Sequence, residues 1–154
     1  HYPDMNRCRC TPAQVMQYLG RISQPLLDRL DLCAEVSPVD FEGLSSGRKG
    51  ESTQTIRERV ICAQDIQRER YKIEGIQFNG ELSGAQIEKY CKMEKDARQL
   101  LKMAFQNMPF SARAYHRILK VARTIADMEA TESIYRHHIA EALSYRAFDK
   151  KYWN

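Results

Sequence analysis

Over residues 111–128 the chain keeps one strict pattern: Tyr115, Ile118, Leu119, Ala122, Ile125 and Ala126 recur every three or four positions. That spacing gathers the apolar side chains on one stripe of an α-helix, and Ser111 stands where an N-cap belongs. So wide a stripe must be covered by other helices, which commits the chain to helix-on-helix packing. The same period returns on both sides. Ile56, Val60, Ala63 and Ile66 share one face of a charged helix expected over residues 52–71. Ser83 and Gln86 form a capping box that opens a short helix carrying Ile87 and Tyr90. Ala97, Leu100, Leu101, Ala104 and Phe105 point inward from a helix over 94–107 that Pro109 ends, and Ile139, Ala142, Leu143 and Tyr145 from one over 135–148. Short connections between such helices predict an all-α fold, a small antiparallel bundle.

Residues 1–43 differ in character. Thr11 and Pro12 open a helix to about Leu19, with Val15, Tyr18 and Leu19 at helical spacing, and Pro25 restarts a helical turn through Leu30. Residues 31–36 read as a brief strand stopped by Pro38. A lone strand is not stable, so this reading implies sheet partners elsewhere, the remnant of an α/β core. The glycine- and serine-rich residues 44–50 form the linker, and 51–154 make up the helical domain. No repeat or low-complexity tract appears.

Composition narrows the function classes. With 43% hydrophobic and 29% charged residues the chain can bury a core, which excludes a disordered polymer. A net charge of +4 suits a phosphate-bearing partner, but no block of like charges demands a nucleic acid. Five cysteines without a disulfide rhythm point to a reducing cytoplasm. No apolar run approaches a membrane span, so no membrane partner is expected. The first ten residues are polar and lack an initiator methionine, as in a piece of a longer protein.

The residues able to carry chemistry are cationic. On the long helix, Arg113, Arg117 and Lys120 fall at i, i+4 and i+7 opposite the apolar stripe, flanked by His116 and Arg123. Arg113 sits in the first turn, where a cation opposes the helix dipole unless an anion binds nearby. The stripe reads either as phosphate or DNA contacts or as a solvated helix face. Arg29 lies between Asp28 and Asp31, as a surface salt-bridge arginine or as one presented to a neighbour's phosphate. Cys8 and Cys10 supply one cysteine pair, half of a tetrahedral zinc site. Completing it needs His1 or ligands from further upstream, and zinc is not expected on this chain alone. Cys33, Cys62 and Cys91 lie inside apolar patterns and read as small core residues. Residues 43–50 imitate a phosphate loop and fail as one: the glycines are too close and Gly50 replaces the hydroxyl that would bind magnesium. His137 and His138 lack the HExxH context and read as packing or surface residues, and no nucleophile-base order stands out.

Longer stretches carry a resemblance. Cys8-Arg9-Cys10-Thr11-Pro12, Tyr18-Leu19-Gly20-Arg21-Ile22-Ser23, Pro25 through Leu32, the run from Ser111 to Asp127, and His138-Ile139-Ala140-Glu141-Ala142 with Tyr145-Arg146 resemble the magnesium chelatase-related AAA+ ATPases of the YifB/ComM competence-protein type. The resemblance implies a chelatase-type helical lid behind the end of an AAA+ core, with the Walker motifs upstream of His1. It assigns Arg29 as the arginine finger acting in trans and Arg113 as the sensor-2 arginine on ATP. Arg117 and Lys120 gain no role from it. It implies ATP and magnesium in the intact protein, no turnover by this chain alone, neighbouring subunits in a hexameric ring, and action on DNA in competence or recombination. A cysteine pair upstream would join Cys8 and Cys10. The competing expectations are a chelatase-like subunit remodelling a protein partner and a basic helical nucleic-acid-binding module. Gln24 and Ala130 stand where the family has glycine.

Overall fold

The computed structural model describes residues 8–36, 41, 45, 47, 50–108 and 110–146. Pro38, Pro109, most of the linker and the expected helix end beyond 146 lie outside these residues. Helix α1 (Pro12–Leu19) starts as the sequence predicts: Gln14 N–H donates to Thr11 Oγ1 at 3.3 Å, and Thr11 N–H to Gln14 Oε1 at 2.8 Å, with Pro12 in the first turn. A single turn, α2 (Gln24–Leu27), follows. The bundle comprises α3 (Thr53–Arg70), a 3-10 turn (Asn79–Glu81), α4 (Gly84–Tyr90), α5 (Lys95–Asn107), α6 (Ala112–Met128) and α7 (Arg136–Ser144).

Helix α6 is the axis. It packs against α3, the 3-10 turn, α4 and α7, and α5 packs against α7. Its stripe is buried at Ile118, Leu119, Ala122, Ile125 and Ala126, which meet Leu101 of α5 and Ile139 and Ala142 of α7 in one core, while Tyr115 packs against that core half-buried. Between α4 and α5, Met93 pairs with Ile134 in an isolated parallel bridge: Ile134 N–H donates to Lys92 C=O and Glu94 N–H to Ile134 C=O. The turn after α6 needs a left-handed residue, and Ala130 takes it with φ of 54°. Glycine relieves the Cβ clash in this conformation, so the departure at Ala130 is a strained one.

The structure corrects the sequence reading at several points. Residues 31–36 form no strand; Cys33 N–H donates to Tyr145 C=O at 3.1 Å, a bond to the far end of the chain rather than to a ladder. On α3 only the second half is covered: Ala63 and Gln67 are buried, while Ile56 and Val60 stay exposed because no described element reaches the first turns. Cys62 is exposed beside the buried Ala63, Cys33 is half-buried, and Cys91 alone of the three lies in the core, where burial pushes its thiol up to about 11. Arg123, read as flanking the solvated face, is buried.

Arg123 belongs to a polar cluster that fastens α3 to α6. Asp127, itself buried, accepts Arg70 Nη1 at 2.9 Å, Arg123 Nε at 3.1 Å and Asn79 Nδ2 at 2.8 Å, and Arg70 Nη2 closes the fork. Arg123 also donates to the Thr131 and Glu132 carbonyls, and Tyr71 Oη to Asn79. Burial pulls the Arg123 guanidinium below its ordinary value while Asp127 opposes the fall. For Arg70, burial acts in the same downward sense, and the bonds from Asp127 and Tyr71 outweigh it, so its value rises. Charges taken from water persist only when paired in this way.

Candidate functional site

Arg29 sits on a turn with a single apolar anchor. Leu27 is 2% exposed, and the chain reverses through Arg29 N–H to Leu26 C=O at 2.9 Å and Leu30 N–H to Leu27 C=O at 3.0 Å. The arginine side chain is exposed, and among the described residues nothing bonds its guanidinium. The carboxylates beside it are engaged by other arginines: Asp28 lies 3.7 Å from Arg146 Nη2, and Asp31 pairs with Arg117. A salt-bridge arginine would have taken one of them.

Arg113 occupies the first turn of α6. Ser111 Oγ accepts N–H of the buried Ala114 at 3.2 Å, and Arg113 is exposed with no ion pair among the described residues. Its charge and the helix N-terminus both favour an anion there. One turn on, Arg117 holds Asp31, so the element bearing Arg113 is pinned to the turn bearing Arg29. Lys120 donates to Gly80 C=O at 2.8 Å. Of the predicted cationic stripe, Arg113 is therefore the member left for an outside ligand.

These residues suit the phosphate end of a nucleotide. Two exposed guanidiniums offer planar donor forks to phosphate oxygens. No carboxylate cluster lies beside them to hold magnesium, among the described residues.

Cys8 is half-buried and Cys10 exposed; their thiols are hydrogen-bonded, which, with the neighbouring sulfur's charge, pushes Cys10 above its ordinary 9.0. Among the described residues no group of three or more His, Cys, Asp or Glu gathers at this cysteine pair. Glu129, His137 and His138 do converge, with His137 Nε2 at 2.9 Å and His138 Nε2 at 3.1 Å from one carboxylate oxygen. His138 Nδ1 accepts Tyr135 N–H at 2.9 Å, which assigns the ring proton to Nε2. That nitrogen donates to Glu129 and has no lone pair for a metal, so the group serves to lock α6 to the start of α7. Hydrogen bonds from His137 and His138 hold the Glu129 carboxyl below its ordinary 4.5. Sequence pattern weighed His137 and His138 without Glu129, and gave Arg146 no partner because Asp28 and Leu30 stand far from it along the chain.

Residues 50–146 match the family described as magnesium chelatase, subunit ChlI C-terminal, and residues 2–44 the family described as magnesium chelatase, subunit ChlI. The chain is 44% identical over 152 residues to YifB of Salmonella typhimurium, covering 97% of this chain and 29% of that protein. It is 41% identical over 148 residues to the competence protein ComM of Haemophilus influenzae, covering 96% and 28%. YifB of Escherichia coli is 40% identical over 152 residues, covering 97% and 29%. The chain thus spans less than a third of these relatives.

Proposed function

Since the chain belongs to the magnesium chelatase ChlI family, we propose that it is the lid-bearing portion of an AAA+ ATPase, giving two arginines to ATP hydrolysis in an oligomeric ring. The division is an end of the AAA+ core at 1–43, a linker at 44–50 and the lid at 51–154. The supporting observation is that Arg29 and Arg113 stand exposed without described partners, while Asp28, Asp31, Arg117 and Lys120 are bonded within the chain. ATP with magnesium, bound by the rest of the protein, supplies the phosphoryl group. Arg29 reaches a neighbouring subunit's γ-phosphate and offsets the charge that grows there; such arginines are worth about 10³–10⁵ in rate. Arg113, aided by the helix N-terminus, holds a phosphate oxygen and so reports nucleotide to the lid.

The name ComM carries the word competence, and we place the substrate on that ground as DNA in uptake or recombination. A chelatase-like action on a protein partner is the alternative. Binding of nucleic acid by the stripe itself is less favoured, because Arg117 and Lys120 would have to leave Asp31 and the Gly80 carbonyl.

Subunit mixing in the full-length protein tests the reading. Arg29→Ala subunits should silence their neighbours' sites, and Arg113→Ala should depress hydrolysis with the fold intact. Wild-type turnover in either variant removes that arginine from the mechanism. The 154-residue chain alone should not hydrolyse ATP.

A further inference from the structure

The turn around Arg29 is held almost residue by residue from the lid. Arg146, only 2% exposed, lies against the Asp28 carboxylate at 3.7 Å and donates through Nη1 to the Leu30 carbonyl. Arg117 pairs with Asp31, and Tyr145 C=O accepts Cys33 N–H at 3.1 Å. Positions 28, 30, 31 and 33 are thus all tied to α6 or to the end of α7, and Arg29, among them, faces outward.

A short turn with one buried leucine has little of its own to keep it in place. From its buried site the Arg146 guanidinium hydrogen-bonds the Leu30 carbonyl and faces the Asp28 carboxylate at ion-pair distance, where charges are weakly screened. The arrangement holds the Asp28 side chain before Arg29 and the Leu30 carbonyl, Asp31 side chain and Cys33 N–H after it, and leaves the Arg29 side chain untouched. A grip serving stability alone would have no reason to exclude the one arginine in its middle.

We propose that Arg146, seconded by Arg117, is a positioning residue for Arg29, so that the lid aims the finger and carries it when nucleotide at Arg113 moves the lid. This rests on the reading of Arg29 given above.

The test is steady-state hydrolysis and subunit mixing in the full-length protein. Arg146→Ala and Arg146→Lys should each lower kcat by about tenfold to a hundredfold, the effect of misplacing a catalytic group by about an ångström, with KM for ATP nearly unchanged. In mixed rings the loss should fall on the neighbour's site, as for Arg29→Ala. Combined with Arg29→Ala, neither should lower turnover further, since both act through one group. Arg146 is buried, so a second variant guards against simple misfolding: Asp31, 59% exposed, is changed to Arg. Asp31→Arg should lower kcat, and adding Arg117→Asp in the same chain should restore it. Folded Arg146 and Asp31 variants with wild-type kcat, or losses additive with Arg29→Ala, would overturn the proposal. Were Arg29→Ala itself harmless, the finger reading would fall first; a crippled Arg29→Ala beside active Arg146 and Asp31 variants would sink the positioning role alone.

Discussion

The bundle and the segment before it are held by different means. In the bundle Ile118, Ala122, Ile134, Ile139 and Ala142 are excluded from water almost completely, and each large side chain so buried contributes about 1.5–3 kcal/mol. In residues 8–36 only Leu19 and Leu27 are buried, while Met16, Tyr18, Leu26, Leu30, Leu32 and Val36 stay exposed. What keeps that segment on the bundle includes Arg146 and Arg117, long cations reaching across to acidic and carbonyl oxygens. A part held by packing is fixed once folded. A part held by ion pairs and a few hydrogen bonds can be released more readily, which suits the role proposed for Arg29.

The contrast is open to attack from either side. The largest effect is expected at Asp127→Ala, which strands the buried Arg123 and loosens Arg70; the loss should be about 3–5 kcal/mol, read by chemical denaturation of the bundle. A cost below 1 kcal/mol would mean that this cluster contributes little. Next is Leu27→Ala. Large-to-small core changes cost about 2–5 kcal/mol locally, yet here the bundle's own unfolding midpoint should barely move, while amide exchange around residues 24–33 should accelerate. A matching shift of both regions would make them one cooperative unit. Ala130→Gly should raise stability by up to about 1 kcal/mol, by relieving the left-handed alanine after α6.

The smallest effect is one of pH. Bonds from Lys89, Tyr90 and Gln86 hold Glu74 down to about 2 from an ordinary 4.5. A depressed carboxylate contributes stability that is fully present above 4.5 and lost as pH falls toward 2, so the wild-type chain should weaken more than Glu74→Gln across that window. Parallel acid titrations of the two chains would remove Glu74 from the acid response.

Much of the bundle was legible because its signals are local. Ser83 with Gln86 and the Ser111 cap each lie within one turn, as does Thr11 with Pro12 in the segment before the bundle, and the α6 stripe repeats often enough to leave one reading. What was not legible depends on distant partners. Arg123 shares the charge and spacing of its neighbours, and its burial shows only in the cluster that joins Asp127 to Arg70 and Asn79, 57 and 48 positions away. Ile56 and Val60 keep the period of a buried face that no described element covers. At the candidate site, the types of Arg29, Asp28 and Asp31 were plain, but which arginine takes which carboxylate was not, since Arg117 and Arg146 lie far along the chain.

That distance has a consequence in time. The Arg117–Asp31 pair spans 86 positions and the Arg146 to Leu30 bond 116. During synthesis at about 5–20 residues per second, the Arg29 turn leaves the ribosome on the order of ten seconds before Arg146 exists to receive it. Helices α3 to α7, whose contacts are closer along the chain, can form their core meanwhile. The turn therefore docks onto a surface that is completed only after the turn itself has been made.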